Sequence, residues 1–594
     1  MIAMKKPNYK ITFLLIVIVG LIEILTLSSC EKYFLEKRIG SDLNVDSIFA
    51  SRQKALSAIA SAYVSSLSAG IPLSGWDNNR TYSMRAGTLS GISGEICSAK
   101  FNWEDNWLIS HSGLTANDGT GIPRSSDAFG YNYTCIRECY TIMNNIDKVP
   151  DMTATEKKQV KAEMKALIAY RYEEMFKRYG GIPLVNKILS PQDSLMIPRS
   201  SLQQTMNEIL SLCSDAETDL PDNYNTSEKG RATKGFAKAI RAELYMFASR
   251  PLFNSAAPYL TLAGHNDLIC FGKVDNTLWQ KAIDANEDVI SWSLANGYQI
   301  INTGNPFDDY GTAVATPSNP EVLMAYQVES SASGGLSYFD PHGQSGGANG
   351  MSYNQLTQYY KADGTEQTWA GTSGSTYSDY LTRFNQMEPR FLESAVAAGQ
   401  AALNNPGSQY WATDILSNSS NWDGRGGTEC CGRRCKFWYH AGTRSWFEYP
   451  IYRLAEFYLN LAEAYNEIGN TSKALSNLNV IRKRAGLPDV TETDQSKLRG
   501  IIQREWSIEF YEEGHRYFDV KHWKLAGTAN GIIGGSVQSF LFTYQNGDYG
   551  IYPADYITYY LATRYTGFWN YSQYLEPFPV AEINKGYITQ NPGY

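Results

Sequence analysis

Histidine is scarce, with six in 594 residues, and none stands in a His-Glu-x-x-His arrangement, the helix-borne zinc pattern of metalloproteases. No Gly-Lys-Ser/Thr phosphate loop occurs. No basic stripe is visible and the formal net charge is −8, which argues against nucleic acid as a partner. A membrane-length apolar run is missing as well. The longest, from Ile11 to Leu27, has about 17 residues against the ~20 that a spanning helix needs, and Glu23 sits inside it.

That short run has a different meaning in its context. Lys5, Lys6 and Lys10 lie before it with no acid among the first ten residues, and it ends in Leu27-Ser28-Ser29-Cys30. A basic start, a short apolar core and small residues before a cut describe a secretory signal over residues 1–29. Leu-Ser-Ser-Cys resembles a bacterial lipobox, so Cys30 is the expected lipid attachment site and first residue of the mature chain. Two or three acyl chains anchor stably, whereas one alone is marginal.

About 565 residues remain after the leader, more than one hydrophobic core usually holds. Hydrophobic residues at 43 % and charged residues at 19 % describe a globular chain. Aromatics reach 13 %, with 41 Tyr and 13 Trp, many of them in Gly/Ser/Asn-rich stretches rather than in periodic segments. Rings on polar loops suit ligands with both apolar faces and hydroxyls.

Helical periodicity predicts six helices in the first half: Asp46 to Leu67, Tyr131 to Ile146, Thr155 to Tyr179, Ser201 to Leu220, Thr233 to Ser249 and Trp279 to Asn296. Gly180-Gly181-Ile182-Pro183 and Pro221 are stop signals for two of them. Nearer the C-terminus, Ala462, Ala464 and Tyr465, then Gly469, then Ala474, Leu478 and Ile481 place small and large residues as a tetratricopeptide helix pair does. One such pair cannot bury its own apolar face, so the other helices should stack on it. Asn319 to Gln327 reads as a turn entering a buried strand. Three long irregular stretches remain, Ala69 to Gly130, Ile301 to Tyr449 and Gly527 to Tyr594, and loops of that length are usually functional.

Other motifs carry less. Gly343-Gln344-Ser345-Gly346-Gly347 matches a nucleophile elbow, but Asp340-Pro341 before it and Ala348-Asn349-Gly350 after it predict a flexible loop. Glu512-Glu513-Gly514-His515-Arg516 reads as ion pairs and caps at a helix end. Cys430, Cys431, Cys435 and His440 fit no zinc spacing, and a disulfide between Cys435 and one of the adjacent pair is the expectation for an exported chain. Cys135 and Cys139 share a helix face and should be buried thiols.

Several segments together resemble the SusD/RagB family of Bacteroidetes surface lipoproteins. Tyr33-Phe34-Leu35-Glu36 follows the lipobox, and Ala162-Glu163 leads to Tyr179-Gly180-Gly181-Ile182-Pro183-Leu184. Arg231-Ala232-Thr233 opens a further repeat helix. Pro389-Arg390-Phe391 fits the family's Asp-Pro-Arg element, with Glu388 where Asp is usual. Arg453-Leu454-Ala455-Glu456, Asn479-Val480-Ile481-Arg482 and Arg504-Glu505 follow. Gly514-His515-Arg516-Tyr517-Phe518-Asp519-Val520-Lys521-His522-Trp523 is the most specific match, and Gln590-Asn591-Pro592-Gly593-Tyr594 closes the chain. The resemblance implies a mainly α fold in residues 30–594. Four tetratricopeptide-like helix pairs would form a scaffold, mainly 44–68, 131–300 and 448–523. A loop-rich ligand-binding lobe with short strands would hold 69–130, 301–447 and 527–594. It further implies a non-enzymatic, cell-surface glycan-binding lipoprotein of the outer membrane. Such a protein passes oligosaccharides to a SusC-like TonB-dependent transporter, with peptides as the ligand in some branches.

Two loop groups mix aromatics with sugar-bonding polar groups. One contains Trp76, Asn78 and Arg80, with Trp103 and Trp107 further on. The other contains Tyr338 and Tyr353, with Tyr359, Tyr360 and Trp369 following. For each Trp, burial in the loop's own core stands beside ligand stacking as an equal alternative. No cofactor is expected. Calcium occurs in some relatives, and Asp308, Asp309 and Glu321 offer oxygens without a recognisable site. A surface hydrolase would need two carboxylates ~5–10 Å apart in a cleft, and no such pair is evident. A lid without ligand affinity of its own is the remaining alternative.

Overall fold

A computed structural model describes residues 45–68, 88–97, 105–116, 129–329, 350–397, 400, 431–440, 446–528, 531–544 and 557–594. Helices dominate. The principal ones are α1 Arg52–Ser68, α2 Phe129–Asn145, α3 Ala154–Tyr179, α4 Leu202–Asp219, α5 Lys234–Ser249, α6 Thr277–Ala295, α7 Pro306–Ala315, α8 Pro389–Ser394, α9 Leu454–Glu467, α10 Thr471–Arg484, α11 Gln495–Glu509 and α12 His515–His522. Local chemistry sets the ends of several. Thr153 and Glu156 form a reciprocal capping box before α3, and Ser201 and Gln204 do the same before α4. Helix α3 stops at Gly180, whose φ of 81° suits glycine. A Cβ there would sit 2.5 Å from the Leu268 carbonyl oxygen.

The helices pack as successive pairs, α1/α2, α3/α4, α5/α6 and α9/α10, with α3 also against α2, α5 against α4 and α6 against α9. In the last pair Ala462, Ala464, Ala474, Leu478 and Ile481 are buried, and Gly469 makes the turn at φ 77°. These small-and-large contacts join one core that runs through all four pairs. The run expected from Asp46 is broken at 49–51, leaving a separate turn at Val45–Ile48 before α1.

Between α6 and α9 the chain leaves the scaffold. It departs along β1 (Val322–Glu329) and returns along β5 (Trp446–Arg453), and the two are antiparallel partners, with Tyr326 opposite Tyr449. The excursion and the C-terminal hairpin share a second, aromatic core around Tyr359, Tyr380, Phe391, Phe540 and Tyr559. That hairpin, β6 (Ser536–Tyr544) with β7 (Ile557–Thr566), is joined by the short β2 (Ser375–Thr376). Strands β3 (Ala395–Val396) and β4 (Arg433–Arg434) pair separately. The stretches expected to be irregular therefore contain regular elements. Helix α7, with Pro306 in its first turn, and the Tyr-rich β7 lack the long apolar stripe that marks the scaffold helices.

Scaffold and excursion meet over buried charge. Arg453, the last residue of β5, donates to Glu513 (2.8 Å from both Nε and Nη2), Glu509 (2.6 Å) and Glu321 (3.2 Å), and its guanidinium lies 3.9 Å from the Phe510 ring centre. Arg390 of α8 reaches Glu505 (2.6 Å), Glu509 (3.0 Å) and Glu388 (2.9 Å). Arg484 pairs with Glu509 and Glu321, Arg482 with Glu505, and Lys436 with Glu513. All ten side chains are buried, five basic and five acidic. Burial alone would raise the Glu509 carboxyl, but Arg484, Arg453 and Arg390 outweigh it and hold it well below the usual range. Replacing Arg453 with Met leaves Glu509, Glu513 and Glu321 each one cation short in a dry interior. Arg453→Met should therefore cost roughly 3–5 kcal/mol of unfolding free energy, measured as a fall in the denaturant midpoint. A loss under about 1 kcal/mol would mean the remaining cations suffice.

Candidate functional site

The segments leading to Trp103 and from Tyr338, one from each of the two loop groups, meet the described chain at one place. Cys97 N–H donates to the Gly350 carbonyl at 2.9 Å, and Ser352 N–H donates to the Glu95 carbonyl at 3.0 Å. Residue 97 leads toward Trp103, and residue 350 follows the segment that holds Tyr338. Ser352 fixes this junction. Its hydroxyl donates to the Gly94 carbonyl at 2.5 Å and accepts from Gln355 N–H at 3.0 Å. Beside it, Asn354 clips the junction to β6. Its Nδ2 donates to the Ser536 carbonyl (3.1 Å) and its Oδ1 accepts from Gln538 N–H (2.9 Å).

Ser536 lies opposite Thr566 at the open end of the β6–β7 hairpin, and the chain beyond Thr566 carries the site further. Phe568 N–H donates to the Ser110 carbonyl at 2.7 Å. The His111 ring lies 4.5 Å from that of Tyr565. Val580 N–H donates to the Ala116 carbonyl at 2.8 Å. Helix Asp105–Ser112, which carries Trp107, thus docks along the exit of β7. Gly113 permits the contact, because a Cβ there would come within 2.6 Å of the Phe568 ring. On this patch Phe568 is 43 % exposed and Tyr571 60 %. A rigid hairpin end thus presents aromatic rings next to the roots of two polar, aromatic-rich loops. Such an arrangement can stack on flat apolar faces and orient hydroxyls.

A family model described as the SusD family matches residues 294–594, just over half of the chain. The chain belongs to the SusD family. A second model, described as starch-binding and associating with the outer membrane, matches residues 79–246. SusD-like protein P38 of Formosa agariphila is 22 % identical over 406 residues, covering 66 % of this chain and 72 % of that protein. A SusD-like protein of Bacteroides fragilis has the same fold, with a TM-score of 0.71 at 24 % identity over 92 % of this chain and 98 % of that one. A laminarin-binding SusD-like protein superimposes with a TM-score of 0.52 at 16 % identity, over 92 % and 100 % of the two chains.

Within this SusD-family fold the candidate residues separate. Tyr353 is half-buried, edge-on to Phe540 at 5.5 Å. Trp369 is only 8 % exposed and packs against Phe540 (5.5 Å) and Tyr380 (6.3 Å), so it serves the lobe's core. Tyr359 is buried too, and Tyr360 lies under the Arg504 guanidinium at 3.7 Å. Trp76, Asn78, Arg80, Trp103 and Tyr338 lie outside the described residues, as do the Gly-x-Ser-x-Gly segment and Cys430. Phe568 and Tyr571 were not singled out from sequence. Gly567-Phe568-Trp569-Asn570-Tyr571 nevertheless carries the same aromatic-plus-amide signal as the Trp76 group.

The chemical motifs resolve into packing. Glu512 pairs with Arg434 at 3.0 Å, Gly514 caps α12 with φ 83°, and His515 is wedged against Phe510 and Trp506. Burial drives the His515 imidazole down to about 3, so it stays neutral. The disulfide expectation fails for Cys431 and Cys435. The Cys435 thiol donates to the Glu393 carbonyl at 3.0 Å and is not joined to Cys431. Cys135 and Cys139 are buried thiols. Asp309 accepts from Thr303 N–H (2.9 Å), and the Glu321 carboxylate is taken by Arg453 and Arg484. Among the described residues no group of three or more His, Cys, Asp or Glu could hold a metal ion, and no helix is long and apolar enough to cross a membrane.

One titratable group sits at the root of the loops. Glu95 is buried and accepts from Glu512 N–H (3.3 Å) and Ser93 Oγ (3.2 Å). Burial pushes its carboxyl up to about 7, against the pull of Arg516 and with the push of Glu512. A carboxyl raised in the fold stabilises fully below its ordinary value, and that stability is lost as pH rises through about 7. Wild type should therefore lose up to about 3 kcal/mol between pH 4.5 and 7.5 from this group, at about 1.4 kcal/mol for each tenfold fall in proton concentration over which only the folded chain keeps the proton. Glu95→Gln should flatten that slope in denaturant titrations at the two pH values. An unchanged slope would mean that Glu95 is ionised throughout.

Proposed function

We propose that this SusD-family chain is a cell-surface lipoprotein, anchored to the outer membrane through Cys30. It captures oligosaccharides and passes them to a SusC-like TonB-dependent transporter. One observation carries this reading: the segments with Trp103 and Tyr338, one from each aromatic, polar loop group, root at the open end of the β6–β7 hairpin, beside the solvent-facing rings of Phe568 and Tyr571. A pyranose has an apolar face that stacks on such rings, and hydroxyls that pair with Asn, Arg and Gln. The names of two structural neighbours, a carbohydrate-binding protein of Bacteroides fragilis and the laminarin-binding one, point the same way. The reading requires binding alone and assigns no catalytic step. Affinity should be modest, because release into the transporter must follow.

Calorimetric titration of the chain from Glu31 against host and plant oligosaccharides and a peptide mixture tests the reading. Saturable binding to one glycan class is expected. It should weaken about tenfold when Trp103, Tyr338 or Phe568 becomes Ala, the size of losing one aromatic anchor. Binding to peptides alone would move the chain to a peptide-capturing role, and no binding would leave only the lid role. Anchoring has its own test. Cys30→Ser should shift the protein from the membrane to the soluble fraction of cells, and retention of the variant at the membrane would refute a lipid anchor at Cys30.

A further inference from the structure

A groove of about 280 Å³ runs beside β1, walled on its far side by residues around 223–233 and 296–298. It shares no lining residue with the Phe568 patch. Glu448 lines it, and Trp446, the first residue of β5 and 41 % exposed, touches that carboxylate from outside the groove's own lining. Its orientation is fixed: the indole N–H donates to Glu448 Oε1 at 3.1 Å. The same carboxylate accepts from Gln327 Nε2 at 2.9 Å and from Ser318 N–H at 2.8 Å. Glu448 is buried and makes no ion pair among the described residues, so three N–H donors hold it in place of a cation.

The surroundings are built to keep this fan in place. Ser318 adopts a left-handed φ of 57°, a strained choice for a residue other than glycine, and so aims its N–H at Glu448. From the opposite wall Gly230 comes so near that a Cβ would sit 2.9 Å from Gln327 Nε2. Asn223 spans to Asn296 at 3.1 Å. Lys229, also lining the groove, is exposed and has no ion-pair partner among the described residues. Two amides, an ammonium without an ion-pair partner among the described residues and a buried carboxylate thus line the groove, with an exposed indole bonded to that carboxylate.

We propose that this groove is a second sugar-binding subsite, with Trp446 as its stacking platform and Gln327, Asn223 and Lys229 as hydroxyl partners. The inference rests on the glycan reading and adds a separate place of contact on the scaffold side. Two other occupants fit less well. An extended peptide pairing with β1 would find the edge obstructed at both ends, because Gln299 N–H already donates to the Pro320 carbonyl at 3.0 Å and Gly230 abuts Gln327. An anion would face the Glu448 carboxylate. A neutral polyhydroxyl ring meets neither obstacle.

The test is calorimetric stoichiometry with the glycan class that binds best, using wild type, Trp446→Ala, Trp446→Tyr and Trp103→Ala. Wild type should bind more than one ligand per chain. Trp446→Ala should abolish the second event or weaken it about tenfold or more, Trp446→Tyr should restore part of it, and Trp103→Ala should leave it in place. Trp446→Ala also takes one donor from the buried Glu448, so both Trp446 variants are read at a temperature where their denaturant curves show them fully folded. If wild type binds a single ligand and Trp446→Ala is indistinguishable from it, the subsite is refuted while the glycan reading stands. If no glycan binds to wild type, both fall together.

Discussion

Arg453 ties together segments that the chain order keeps far apart. Its guanidinium reaches Glu321, at the point where the chain leaves the scaffold, and Glu509 and Glu513, which close α11 and lead into α12. Arg390 brings the excursion's own helix to the same Glu509. Ion pairs in such dry surroundings add little over an apolar core of equal volume, but a partner removed leaves an uncompensated charge. Their value here is geometric. A shifted placement of excursion against scaffold would part several of these buried pairs, so the junction helps to fix the β6–β7 hairpin, which shares the excursion's core, and what is rooted on it.

The scaffold was legible in the sequence because its residues repeat on a helical period. Ala162, Ala166 and Ala169 of α3, or Ala462, Ala474 and Leu478 of the last pair, announce both the helix and its buried face. The excursion had no such signal. Its core is assembled from Tyr359, Tyr380, Phe391, Phe540 and Tyr559, whose spacing in sequence follows no period because they meet from separate segments. The disulfide expected at Cys435 failed for a related reason, while the buried thiols expected at Cys135 and Cys139 are there. Compartment chemistry favours disulfides in exported chains, but the Cys435 sulfur is directed by the turn after β4 toward the Glu393 carbonyl rather than toward Cys431.

Aromatic composition located the functional region more readily than the functional residues. Trp369 and Phe568 read alike in sequence, each in a polar loop. The structure sends the first into the lobe's core against Phe540 and leaves the second 43 % exposed, its backbone N–H bonded to Ser110 and its ring laid against Gly113. Which ring is buried depends on long-range packing, and a single sequence does not encode that in its local pattern.

The pairing of β1 with β5 has a consequence beyond holding two strands together. Because Val322 lies opposite Arg453 and Glu329 opposite Trp446, the excursion begins and ends at the same doorway in the scaffold. Closing a longer loop across fixed ends costs only logarithmically more entropy. Insertions or deletions beyond that doorway that spare Glu388, Arg390, Lys436 and the shared aromatic core are therefore nearly neutral for the helical pairs. The molecule is in effect a handle with a head whose outer loops can drift while the charged seam that seats it stays unchanged.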